Sequence, residues 1–136
     1  MARILRLGEV LYAATSGWDH MREVDGFIRS LDSDHPEHGL VRNFSGFTLE
    51  NGGGQLTEYF PEVSVSWHED GLRVTKMGPL LVWMLSTITV REVAEGVGER
   101  EFRRRLSELS ETLEREISER GEIRVTKDAG LFKARL

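Results

Sequence analysis

The chain has no cysteine, which excludes a disulfide framework, thiolate chemistry and any cysteine-ligated zinc ribbon. Long apolar runs are missing too. The longest, Leu80-Leu81-Val82-Trp83-Met84-Leu85, is far short of the roughly 20 residues that span a bilayer. The first residues, Met1-Ala-Arg-Ile-Leu-Arg6, lack the charge, apolar length and small-residue cleavage site of a secretory signal. The expectation is therefore a cytoplasmic protein with no membrane segment. Lysine and side-chain amides are scarce: 3 Lys stand against 15 Arg, and the amides are Asn43, Asn51 and Gln55. Few thermolabile side chains beside many Glu and Arg fit a heat-adapted protein, and a melting midpoint in the mesophile range would refute that. The arginine excess points to a GC-rich genome, because heat adaptation by itself favours lysine.

What is present is a globular balance, 39% hydrophobic and 30% charged over 136 residues, enough for one domain with its own core. The net charge of −5 is uneven: residues 1–70 carry 5 basic and 12 acidic side chains, residues 71–136 carry 13 and 11. The acidic half argues against nonspecific wrapping of nucleic acid, while the other half permits it. The expectation is a single domain over 1–136, with a potential subdivision into an acidic α+β part (1–77) and a helical part with a hairpin (78–136).

Apolar spacing predicts a strand over 3–13 and then a helix over 17–31. Ser16 and Asp19 stand at capping-box spacing, and Trp18, Met21, Val24, Phe27, Ile28 and Leu31 share one face. A polar loop, 32–39, follows. Residues 40–49 and 55–60 read as sheet around an Asn51-Gly-Gly-Gly54 turn. Val63, Val65 and Trp67 alternate with Ser64, Ser66 and His68, the period of a half-buried strand, and Asp70-Gly71 signals a hairpin returning through Leu72 and Val74. Residues 80–97 fit strand and helix equally. The clearest element is a helix over 99–120, where Phe102, Leu106, Leu109, Leu113 and Ile117 form a stripe, Gly121 ends the helix, and four Glu-before-Arg pairs line it at i, i+4. That stripe suits a sheet or a partner helix. A C-terminal hairpin, 122–126 and 131–136 about Asp128-Ala-Gly130, completes the expected fold: α+β, a mostly antiparallel sheet packed by the 17–31 and 99–120 helices. Leu72-Arg-Val-Thr-Lys76 and Ile123-Arg-Val-Thr-Lys127 nearly repeat, an echo that their surroundings do not share.

Chemistry-bearing clusters are few. Asp32, Asp34, His35 and His38 are metal-competent, but the loop is broken by Pro36 and offers no rigid geometry. The glycine run lacks phosphate-loop spacing, and no nucleophile motif is present; no cofactor is expected. Arg100, Arg103, Arg104 and Arg105 crowd the start of the long helix, where the dipole disfavours cations. They form either an anion contact or a solvated ion-pair face.

Thr89-Val-Arg-Glu-Val-Ala-Glu-Gly-Val-Gly98 with Phe102, Leu106 and Leu109, followed by 121–136, resembles winged helix-turn-helix DNA-binding regulators over residues 80–136. The resemblance implies a wing hairpin, Arg100, Arg103 and Arg104 facing the major groove, and Arg124 and Lys127 on the backbone. The chain departs from the pattern in a turn about two residues short and an overlong, partly acidic third helix. The leading functional expectation is a non-catalytic binding or assembly module acting as a homo-oligomer through the long helix or an edge strand. DNA binding is second. Catalysis from residues distant in sequence is third.

Overall fold

A computed structural model describes residues 4–32, 34 and 46–136. The chain is an α+β protein whose described residues form β1 (Val10–Ser16), α1 (Arg22–Leu31), α2 (Gly52–Thr57), β2 (Glu62–Val74), α3 (Met77–Ser86), α4 (Ile88–Val97), α5 (Glu99–Arg120) and β3 (Ile123–Arg135). The three strands make an antiparallel sheet in the order β1-β3-β2. Two compact units are distinguished: Met1–His20 with Phe44–Asp70 and Thr126–Leu136, and Met21–Asn43 with Gly71–Val125. β2 and β3 supply residues to both.

In the first unit, β1 pairs with β3 from Val10 opposite Arg135 to Ser16 opposite Ala129. One sheet face carries Phe132 and Ala134 into a core with Leu49, Leu56 and Phe60, and Phe47 sets its ring 5.6 Å from that of Phe132. The strand predicted over 3–13 begins instead at Val10, because Gly8 at φ 87° turns the chain. It runs on through Ser16, so the expected cap residue is spent in the ladder.

The Asn51 glycine run is the start of α2, not a hairpin loop, and the 55–60 return strand is absent. Thr48 and Asn51 bond each other just ahead of the helix: the Thr48 N–H donates to Asn51 Oδ1 at 2.7 Å and the Asn51 N–H to Thr48 Oγ1 at 3.3 Å. A Cβ on Gly52 would lie 2.8–2.9 Å from the rings of Phe132 and Phe47. Ring packing thus requires glycine there, overriding its poor helix propensity. Of the sheet expected over 40–49, residues 40–45 lie outside the described residues, and 46–49 are turn and irregular chain.

Both predicted hairpin turns are absent. Gly71 is not among the positive-φ glycines, so Asp70-Gly71 continues β2 as extended chain. Asp128-Ala-Gly130 lies inside β3, a single strand where the C-terminal hairpin was expected. Gly130 serves close approach: a Cβ would meet the Ser66 carbonyl and Leu49 Cδ2, both at 2.6 Å.

In the second unit, α5 packs on α1, α3 and α4. Val24, Ile28, Leu31, Leu80, Met84, Val90, Val93, Phe102, Leu109 and Leu113 share a core with Ile123 and Val125 of β3. α5 spans Glu99–Arg120 as predicted, and its C-cap Gly121 is left-handed at φ 82°. α1 is shorter than the 17–31 helix expected from the apolar spacing. It starts at Arg22 after Met21 at φ 56°, leaving Trp18 outside the helix and 56% exposed. Residues 80–97 are helical. Thr87 breaks the run between α3 and α4, and its Oγ1 accepts from the Val90 N–H at 3.3 Å, so Thr87 caps α4. Among the described residues, no helix is long and apolar enough to cross a membrane.

Candidate functional site

The arginines at the start of α5 are held by carboxylates. Glu99 accepts from Arg103 at 2.6 Å, Glu101 from Arg104 at 2.6 Å and from Arg105 at 2.9 Å, and Glu108 from Arg104 at 2.6 Å. Hydrogen bonds from Arg104 and then Arg105 pull Glu101 down to about 2, and Glu101 in turn raises both guanidiniums. The Arg105 side chain is only 17% exposed. It donates to the Leu31 carbonyl at 2.8 Å and lies 3.6 Å from Asp34, so it straps α5 to the end of α1. Arg100 and Arg103 are exposed. Arg124 bonds Glu122 at 3.1 Å, and Glu122 also accepts from Arg73. Lys127 belongs to the first unit, where its charge bears on His20.

Of the metal-competent loop, Asp32 is buried and Asp34 exposed, while His35 and His38 lie outside the described residues. Among the described residues no three His, Asp or Glu side chains are grouped to hold a metal ion.

A cluster that sequence reasoning missed surrounds Gly17. The Gly17 N–H donates to the Asp128 carbonyl at 2.9 Å, and the Asp128 N–H donates to His20 Nδ1 at 3.2 Å. Asp128 Oδ2 stands 2.0 Å, and Glu50 Oε1 3.0 Å, from where a Gly17 Cβ would be. Glu50 also accepts from the Trp18 N–H at 3.0 Å. Asp128 is 7% exposed, and its Oδ1 has no hydrogen-bond partner among the described residues. Burial first, then the charges of Glu50, Asp19 and Glu69, push its carboxyl above the usual carboxylate range. Burial and Lys127 push His20 below the ordinary histidine value. Desolvation and the neighbouring carboxylates both disfavour the charged form of this carboxyl. The only signal in sequence was Asp128 itself, and it reads there as a turn residue.

The remaining unusual feature is uncovered apolar surface. In β2 every residue except Val63 and Val74 is exposed, with Val65 at 41%, Trp67 at 50% and Leu72 at 42%. The half-buried strand that alternation predicts is thus an outermost strand with its apolar side chains largely open. Val63 and Ser64 line two shallow grooves, one shared with Lys133 and Arg135, the other with Gly53 and Phe132. In the second unit, α3 has no charged residue, and Val82, Trp83 and Leu85 are exposed together with Ile88 of α4.

No protein-family model matches the chain, and no curated protein matches it.

Proposed function

We propose that the protein is a non-catalytic assembly module that works as a homo-oligomer in the cytoplasm. One observation carries this reading: β2, 13 residues long at the margin of the sheet, leaves Val65, Trp67 and Leu72 open to solvent. Strand edges of this length pair readily with other chains, and soluble monomers ordinarily shorten, cover or bend them. A symmetric pair is the commonest way to use such an edge. The uncharged outer side of α3 supports the same reading, since a helix apolar all round normally finds a partner. Light scattering across micromolar concentrations tests it. A concentration-dependent oligomer is expected, and a monomer throughout refutes it.

A second reading, the winged-helix DNA binder, is favoured by the helical state of residues 77–97 ahead of α5. Against it stand the absent wing hairpin and the carboxylates occupying Arg103 and Arg104. Duplex binding that weakens steeply with salt and is lost in Arg103→Glu/Arg104→Glu would support it. No retention on duplex at low salt would end it.

A further inference from the structure

The assembly reading leaves open which residues meet. Resting on that reading, we propose that β2 of one copy pairs antiparallel with β2 of a second copy about a twofold axis through Val65, over residues 62–68.

Register decides which residues meet. Two identical antiparallel strands joined by a twofold axis must place one residue opposite itself, because a residue and its cross-strand partner lie on the same sheet face. Each choice of central residue therefore fixes every other pair. An axis at Glu69 or Asp70 sets two carboxylates face to face, and one at Ser66 sets Glu62 opposite Asp70; like charges directly opposite are destabilising. An axis at Trp67 places Val65 opposite Glu69 and Ser64 opposite Asp70. An axis at His68 places Trp67 opposite Glu69 and the two imidazoles opposite each other.

An axis at Ser64 matches Val63 with Val65 but pairs only residues 62–66 of β2 and sets Trp67 opposite Pro61, whereas the Val65 axis pairs 62–68 and sets Trp67 opposite Val63. Glu62-Val-Ser-Val-Ser-Trp-His68 reads nearly the same in both directions. Val63 opposes Trp67, Val65 opposes Val65 and Ser64 opposes Ser66, while at the ends Glu62 opposes His68, a pair that attracts when the imidazole is protonated. The acidic Glu69-Asp70 step falls outside the paired stretch. Aromatic–β-branched and Ser–Ser pairs are among the favourable cross-strand combinations. All seven residues belong to the first unit, and all but Val63 are exposed. Val65 and Trp67, at 41% and 50% exposure, both gain apolar neighbours from the second copy in this register, whereas Val65 faces Glu69 in the Trp67-centred one and Trp67 faces Glu69 in the His68-centred one.

The absence of native cysteine makes the test direct. In the proposed register the Cα atoms of two residues at position 65 lie about 4.5–5.5 Å apart, within the span a disulfide bridges. Val65→Cys under mild oxidation is expected to give a covalent dimer on non-reducing electrophoresis. Ser64→Cys and Ser66→Cys, each offset by two residues from its own copy, are expected to stay uncrosslinked alone and to link when mixed. Light scattering of the unsubstituted chain runs alongside. An oligomer that crosslinks through His68→Cys or Trp67→Cys alone, or through none of these positions, overturns the register and leaves the assembly reading standing. A monomer in light scattering overturns both. Val65→Lys, which sets two ammonium groups opposite each other, is expected to shift the association midpoint at least tenfold in concentration while circular dichroism stays unchanged. An unshifted midpoint with native circular dichroism likewise overturns the register.

Discussion

Asp128→Asn should make the protein more stable at neutral pH, although it removes a buried acid. The native side chain is 7% exposed, and its Oδ1 has no partner among the described residues. Around it stand Glu50, Asp19 and Glu69, with His20 and Lys127 the nearby bases. Leaving a buried polar atom unsatisfied costs roughly 1–3 kcal/mol. Asparagine keeps the volume, removes the charge and supplies two N–H donors toward the Glu50 carboxylate, so a gain of about 1–2 kcal/mol is expected at neutral pH. The sign with pH follows from linkage. The Asp128 carboxyl lies above the ordinary aspartate value of 3.8 in the folded chain, so folding favours its protonated form. Stability from this group is fully present below that value and is lost as pH rises through the folded pKa. The advantage of Asp128→Asn should therefore vanish at about pH 3.5 and be complete near pH 7.5. His20 acts oppositely: its pKa is lowered from 6.5, so its contribution is present above that value and is lost as pH falls through the folded one. His20 remains in both proteins, so its effect largely cancels from their difference. Urea unfolding of the two chains at about pH 3.5, 5 and 7.5 measures that difference. A variant less stable at pH 7.5, or a difference independent of pH, would show that the buried Asp128 carboxylate is not destabilising.

Three further outcomes are expected. Leu113→Ala, at a fully buried position of α5, should cost about 2–5 kcal/mol in denaturant unfolding; a loss below about 1 kcal/mol would mean that the stripe is not packed as described. Gly17→Ala should cost about 1–3 kcal/mol, because the new methyl would lie 2.0 Å from Asp128 Oδ2; unchanged stability would show that the carboxylate moves freely. Glu101 is held near 2 against an ordinary 4.5, so its contribution is present above 4.5 and is lost as pH falls toward 2. Glu101→Gln should flatten the acid limb of the stability curve, and a Glu101 carboxyl titrating near 4.5 by NMR would contradict the bonding to Arg104 and Arg105.

Legibility in sequence followed the range of the forces involved. α5 was readable from end to end because its signals are local: an apolar stripe, acids in the first turn, three realised Glu–Arg pairs and a terminal Gly121. The glycines misled wherever a neighbouring element determined their role. Gly71 and Gly130 read as turn residues but lie in long strands, Gly130 because the Ser66 carbonyl and Leu49 crowd it. Ser16 read as a cap until pairing with Ala129 drew it into β1. The carboxylates at Gly17 were invisible for the same reason, since Glu50 and Asp128 meet only through the fold. The arginine cluster was visible, and the alternative of a face of ion pairs was legible beside the anion site.

Composition and short-range pattern established the mixed class, the absence of thiol chemistry, the long helix α5 and the alternation of Val63, Val65 and Trp67, because each depends on residue content or on neighbours within a few residues. Tertiary structure decided that β2 and β3 run straight through their turn signals, that Asp128 is desolvated among carboxylates, and that the alternating strand lies at the margin of the sheet with Val65 and Trp67 uncovered. Those properties depend on which distant segments come together, and no local pattern encodes that.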